Sequence, residues 1–249
     1  MRIGIIGGSG VEKLNLTESN KSISFDTEYG ETSPMITGKL NGVDVMFCSR
    51  HGYDHSIPPS QVNYRGNIKI LKEICNVIIT TTACGSLKED YKMGSIIVPD
   101  QFIDFTKNRK NTFVEEFLFG KIVHPAMSDP FNEKLRQNII NECVNMKLDY
   151  KPTGTIVTIE GPRFSTRAES DMYRMWGGDI ISMTTATECS LAFEAGIPYA
   201  SICLVTDYDS WRREEEPVNH ERVMKIFSEN IHKVTELLSN VVKNLNFTQ

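Results

Sequence analysis

The sequence predicts an α/β fold in a single domain spanning residues 1–249. Three observations lead there. Short runs rich in β-branched and apolar residues alternate along the chain with helix-length amphipathic segments. Several of those runs end in glycine or polar residues, the place where open α/β sheets bind ligands. The length suits one large α/β domain, and no interdomain linker, repeat or low-complexity tract interrupts it.

In chain order, strands are expected at 2–6, 43–49, 77–82, 95–99, 154–159, 179–183 and 198–205. Helical spacing is found at 60–74, 130–146, 165–176, 188–195 and 219–245. Gly196 and Pro198 close the fourth helix, the first by allowing a left-handed cap and the second by refusing to continue the turn. The last helix puts Val223, Ile226, Phe227, Ile231, Val234, Leu238, Val241 and Leu245 on one stripe, which must pack on the sheet or on a partner chain. Asn219 is its expected cap, with Glu221 and the acidic run 214–216 near its positive end.

Composition narrows the partners. With 27 basic against 32 acidic residues and a net charge of -5, the chain has no global attraction for nucleic acid. An anionic ligand must then be small and held by local donors. Cys48, Cys75, Cys84, Cys143, Cys189 and Cys203 form no Cys-x-x-Cys pair and have no histidine at zinc-like spacing. They read as reduced core residues of a cytoplasmic protein, without a metal site. No run is long enough to span a bilayer and the start carries no leader pattern, so a soluble protein without a membrane partner is expected. The basic stretch 107–110 reads as a surface loop.

The residues that can carry chemistry sit at strand ends. Thr206-Asp207-Tyr208-Asp209 follows the apolar run 198–205, and carboxylates there can accept amino hydrogens or deliver a proton. Gly4-Ile5-Ile6-Gly7-Gly8-Ser9-Gly10 follows the first strand; it lacks dinucleotide spacing, and a phosphate-cradling turn and an ordinary tight turn fit it equally well. Ser49-Arg50-His51-Gly52 offers a planar fork and a second donor for phosphate, though solvent alone would also satisfy such a pair. Thr80-Thr81-Thr82-Ala83-Cys84-Gly85-Ser86 brings hydroxyls and small residues to another junction, where threonines equally suit a strand. In the segment from Glu160 to Glu169, Ser165 or Thr166 can cap a helix, and Phe164 can stack on a planar ring or fill the core. Ser182-Met183-Thr184-Thr185 places a flexible apolar side chain beside hydroxyls.

In this order the motifs resemble the trimeric purine nucleoside phosphorylase family, most closely its 5'-methylthioadenosine phosphorylase branch. The resemblance runs from Gly7 through the final helix and is most specific at Arg50-His51, the run from Thr81 to Leu87, Gln101-Phe102-Ile103-Asp104, Glu160 to Ser165, Met183-Thr184-Thr185 and Thr206 to Asp209. It implies a mixed, partly closed sheet flanked by helices, a homotrimer, and phosphorolysis of a purine nucleoside with inorganic phosphate as co-substrate and no cofactor. By position it implies phosphate binding by Ser9, Arg50, His51, Thr82, the Ala83 amide and Thr184. The nucleoside would meet Phe164, Ser182, Met183, Thr206, Asp207, Asp209 and His220. His124 would be lent to a neighbouring subunit's 5' pocket.

The implied chemistry has a physical logic. As the glycosidic bond lengthens, the ribose gains oxocarbenium character and the purine gains negative charge, so an anion is needed below C1' and a proton near N7. Phosphate supplies the first; Asp207, held protonated, supplies the second, with Asp209 orienting it and their like charges raising one pKa. A carboxylate at 207 favours adenine-type bases, since it would repel the O6 of a 6-oxopurine. Glu188 is expected to be structural or base-positioning. Thr187 and Ser182 depart from the usual proline and asparagine. His220 stands where methylthioadenosine enzymes commonly have a small apolar residue, which leaves adenosine, or a broader purine nucleoside range, as the alternative substrate, with a non-catalytic nucleotide-binding module as a remoter one.

Overall fold

In a computed structural model, which describes residues 1–8, 16–19, 21–117, 120 and 122–245, the chain builds a ten-stranded mixed sheet between two layers of helices. The elements are β1 (Arg2–Gly7), β2 (Asp26–Thr27), β3 (Gly30–Glu31), β4 (Met35–Leu40), β5 (Val43–Ser49), α1 (Tyr64–Ile74), β6 (Val77–Ser86), β7 (Ile96–Ile97) and β8 (Gln101–Phe105). There follow α2 (Glu133–Asn145), β9 (Tyr150–Lys151), β10 (Thr155–Ile159), α3 (Arg167–Met175), β11 (Ile180–Ser182), α4 (Thr185–Glu194), β12 (Tyr199–Asp207) and α5 (His220–Asn244).

The sheet runs β4-β5-β1-β6-β11-β10-β8, and it branches at β6. On one side Ile78 to Gly85 pair in parallel with β12; on the other, β1 takes the first half of β6 and β11 runs antiparallel to its last residues. β6 is long enough for this because its β-branched run Val77 to Thr82 continues through small residues to Ser86. The branch opens a crevice at the carboxyl ends of β6, β11 and β12, and that crevice holds the site.

Period-two alternation distributes the core. Ile3 and Ile5 of β1, with Val45, Phe47, Val77 and Ile79, face α2 and α5, where Leu135, Ile139, Phe227, Val234, Leu238 and Val241 cover them. Ile6, Met46, Cys48 and Ile78 face the other way, toward Ile68 and Leu71 of α1 and Cys189 and Leu191 of α4. A third cluster seats Tyr173 of α3 against Val157, Ile159 and Ile181. The stripe of α5 therefore packs on the sheet. All six cysteines are free and buried. Among the described residues no helix is long and apolar enough to cross a membrane.

The expected strands are all present, with changed ends. The run at 77–82 extends to Ser86, that at 95–99 shortens to two residues, and α4 starts at Thr185 rather than 188. β4 and β8, and the two-residue β2, β3 and β9, have no counterpart among the expected strands. β4 pairs antiparallel with β5 through Asn41-Gly42, both at positive φ (52° and 80°) as a tight hairpin turn requires. Among the described residues β8 pairs only with β10 and so ends the sheet. At the helix starts, Thr166 caps α3 through a reciprocal pair with Glu169, and Asn219 caps α5 by accepting from the Arg222 N–H at 2.9 Å.

Candidate active site

The strand ends around the branch of β6 enclose a cavity of about 460 Å³, within the size range of small-ligand sites. Its lining falls into three corners.

The first corner is basic. Arg50 follows β5 and is 1 % exposed. Its Nε and Nη2 grip the Glu188 carboxylate, Nη2 reaching Oε2 at 3.1 Å, and Nη2 also donates to the Thr80 hydroxyl. Glu188 accepts in addition from Thr80 at 3.2 Å and from the Tyr199 hydroxyl at 2.8 Å. Burial works to lower the pKa of Arg50, and the Glu188 carboxylate overrides it, holding the guanidinium charged. Nη1 donates to the Thr81 carbonyl at 3.4 Å and lies toward Gly8, where an added Cβ would stand 3.2 Å from it. His51 donates from Nδ1 to the Ile57 carbonyl at 2.8 Å, because a carbonyl can only accept, so Nε2 is left for a ligand. Burial, then the Arg50 charge, pushes His51 down to about 3, against the Ile57 hydrogen bond. Thr184 caps α4 without using its side chain: its buried Oγ1 has no partner. Thr82 and Ala83 complete this corner.

The second corner is acidic. The β6–β12 register shifts between Val205 and Asp207, and this irregularity lets both Thr206 and Asp207 line the cavity, which a regular strand forbids for neighbours. Asp207 is 7 % exposed; its Oδ2 faces the Thr206 hydroxyl at 2.9 Å and its Oδ1 accepts from the Asp209 N–H at 2.8 Å. Burial raises its pKa to about 6, against those two hydrogen bonds, and the Asp209 charge adds a smaller push. Like-charge repulsion from Asp209, expected to help raise one of the pair, does so for Asp207, with desolvation the larger cause. Burial raises Asp209 as well, opposed by the Ser170 hydroxyl. Phe164, Ile181, Ser182 and Met183 form the wall beside the carboxylates. The backbone comes close here: a Cβ on Gly85 would meet Asp207 Oδ1 at 2.7 Å, and one on Gly161 (φ 68°) would meet Met183 Sδ at 2.7 Å.

The third corner is mostly apolar. The first two turns of α5 contribute His220, Val223, Met224 and Phe227, facing His55. The His220 ring lies 5.8 Å from that of His55, which lies 4.5 Å from His51.

A family model of the phosphorylase superfamily matches residues 2–243. The chain belongs to that superfamily. Among curated relatives, the S-methyl-5'-thioadenosine phosphorylase of Xenopus tropicalis is 44% identical over 250 residues, covering 98% of this chain and 89% of the relative. That of Hyperthermus butylicus is 47% identical over 246 residues, covering 98% and 88%. Among solved structures, methylthioadenosine phosphorylase from Schistosoma mansoni in complex with adenine superposes with a TM-score of 0.91 at 38% identity, covering 98% of this chain and 91% of the other. A variant of the adenosine/methylthioadenosine phosphorylase of that organism, in complex with methylthioadenosine, gives 0.89 at 37% identity.

Within this member of the superfamily, Arg50, His51, Thr82, Ala83, Phe164, Ser182, Met183, Thr184, Thr206, Asp207, Asp209 and His220 come together around one cavity. Ser9 lies outside the described residues. His124 is exposed, stacked edge-on against Phe117 at 5.5 Å, and is not part of the lining. Glu188 serves Arg50 and is absent from the lining, so the base-positioning alternative gives way to the structural one. Arg109 is a correction: in the stretch 107–110 expected at the surface, its side chain is 2 % exposed and points inward, while Lys110 is 75 % exposed. His55, Val223 and Met224 line the cavity without a motif that marks them; the helical stripe holding Val223 and Phe227 is visible in the sequence, but not which end of it meets a ligand.

Proposed function

We propose that the protein is a pentosyltransferase that cleaves 5'-methylthioadenosine with inorganic phosphate, giving adenine and 5-methylthioribose 1-phosphate. The observation that carries this is the presence of a basic and an acidic corner in one cavity. Arg50, His51 and the unpartnered Thr184 hydroxyl line the same cavity as Asp207, Asp209 and Met183. Phosphate in the first corner supplies the oxygen that bonds to C1'. The C1'–N9 bond breaks, its electron pair goes to the purine, and Asp207, whose burial keeps it protonated to about pH 6, delivers a proton to N7. Bound purine excludes water and favours that proton further. Asp209 orients the pair, and Phe164 lies along the base.

The apolar side chains of Val223, Met224 and Phe227 suit a methylthio group, and the names of the relatives support this choice. His220 in the same corner can accept from or donate to a 5' hydroxyl, which makes adenosine a second substrate. Phosphate is the co-substrate, without a metal or organic cofactor. We assign a homotrimeric assembly in which His124 completes a neighbour's 5' corner, and a cytoplasmic location consistent with six buried free thiols.

Phosphate-dependent base release from methylthioadenosine, adenosine, inosine and guanosine tests the assignment. Release of adenine from methylthioadenosine first and adenosine second is expected. Preference for inosine or guanosine would overturn the reading of the acidic corner.

A further inference from the structure

Arg109 joins the two strand ends that carry the nucleoside wall, although it does not line the cavity. It leaves the chain four residues after β8 ends. Nη1 donates to the Met183 carbonyl at 2.6 Å, the Tyr64 hydroxyl at 3.0 Å and the Thr187 hydroxyl at 3.3 Å. Nη2 donates to the carbonyls of Glu160 at 2.6 Å and Ile159 at 3.4 Å, and Nε to the Glu160 carboxylate at 3.2 Å. That carboxylate in turn accepts from the N–H groups of Lys107 at 2.6 Å and Asn108 at 3.1 Å, so the loop is fixed where it presents the guanidinium.

The acceptors share a location. Ile159 ends β10, Glu160 opens the turn to Phe164, Met183 follows β11, Thr187 lies in the first turn of α4, and Tyr64 begins α1. Carbonyls beyond the last ladder pair of a strand have lost their neighbours, and buried ones need a donor from elsewhere. A planar guanidinium that serves two such strand ends at once fixes their separation, which a single ammonium point charge cannot do. The Tyr64 hydroxyl extends the link by donating to the Pro59 carbonyl at 2.8 Å, and Pro59 lines the cavity beside Met183 and Phe164.

We propose that Arg109 is a positioning residue for the nucleoside: it sets the gap between the turn bearing Phe164 and the Met183-Thr184 corner, and thereby the width of the slot for base and sugar. This rests on the nucleoside reading of the cavity. Arg50, the charged member of the phosphate corner, is held separately by Glu188, so that corner depends on Arg109 only through Thr184.

Arg109→Lys and Arg109→Gln are compared with the unmodified protein in steady-state phosphorolysis of methylthioadenosine and, without substrate, in amide hydrogen exchange. The KM for nucleoside is expected to rise about tenfold in Arg109→Gln, less in Arg109→Lys, with the KM for phosphate moving less than about threefold. Exchange should rise at 159–164 and 183–187 but not at 199–207. Glu160→Gln, which loosens the grip while leaving the carbonyl contacts, should move the same quantities in the same direction and stands in if the Arg109 variants do not fold. Equal changes in both KM values, activity falling only with the folded fraction, or unchanged exchange in the two segments would overturn the proposal. Absence of turnover in the unmodified protein would instead overturn the nucleoside reading, with the exchange pattern still deciding whether Arg109 holds the two strand ends.

Discussion

At Asp207 a buried carboxyl meets the role proposed for it at a charged transition state, and the two demands oppose each other. Its raised pKa, about 6, makes the folded state bind a proton that the unfolded chain releases near 3.8. Stability contributed by that proton is present at acid pH and is lost as pH rises from about 4 to about 6, up to about 3 kcal/mol at the usual conversion. Asp207→Asn removes this dependence. The variant should match the unmodified protein in thermal stability near pH 4 and exceed it at pH 7, while losing methylthioadenosine cleavage. For the unmodified enzyme, kcat/KM should fall as pH rises through about 6, since this ratio reports groups of the free protein. A flat profile with an equally stable variant at both pH values would remove Asp207 from the acid role. Glu188 makes the complementary case. Glu188→Gln leaves the Arg50 guanidinium buried without its counter-charge, and breaking a buried pair in this way costs about 3–5 kcal/mol. A large fall in thermal stability with a raised KM for phosphate is expected; a variant as stable as its parent would mean that Arg50 finds another partner.

At the scale of elements, the approach of β6 to β12 depends on a missing side chain. A methyl at Gly85 would press on Asp207 Oδ1 and, at 3.0 Å, on Ile181 Cγ2, both part of packed walls. Gly85→Ala should therefore lower kcat/KM for methylthioadenosine by at least about tenfold through displacement of Asp207, with secondary structure retained by circular dichroism. Retained activity would show that the strands can part at little cost. Gly42 is the contrasting glycine: nothing lies near its absent Cβ, but φ is 80°. Gly42→Ala should cost about 1 kcal/mol of stability and leave catalysis alone. That hairpin was legible, since Asn-Gly between Leu40 and Val43 is a strong turn signal, and reading the strand before it required only that the dipeptide be weighed. β8 was harder. Its five residues are all half-buried and mix Gln101 and Asp104 with aromatics, as an edge strand with one partner permits, so neither alternation nor a solid apolar run marks it. Conversely, 43–49 was plain as a short apolar run buried on both faces, and the long stripe of α5 because one buried face repeats at the helical period. The site divides on the same lines. Residues at strand ends, such as Asp207 and Thr184, were findable from position and type; Arg109 was not, because burial of a loop arginine depends on carbonyls 51 and 74 residues away.

For the whole molecule, the cavity joins a basic corner, an acidic corner and an apolar one, and each comes from different layers of the fold: β5 and α4, β12, and the start of α5. The apolar corner is the least enclosed, since His220 at its mouth is exposed. Elsewhere on the surface, Phe117, Ile122 and Val123 are 50 %, 68 % and 46 % exposed and flank His124. Apolar side chains concentrated in one segment are the composition of an interface core rather than of a solvated loop. The trimer assigned above accounts for both features if that segment closes the apolar corner of a neighbouring copy. Val123→Glu then tests assembly and catalysis together, because a buried carboxylate without a partner opposes association. The unmodified protein should have the light-scattering mass of three chains, and Val123→Glu should shift toward the mass of one, with the KM for methylthioadenosine raised and that for phosphate little changed. A variant that becomes monomeric yet binds methylthioadenosine as before would separate assembly from the site, and an unmodified protein with the mass of a single chain would remove the trimer altogether, leaving α5 and His55 to hold the 5' group unaided.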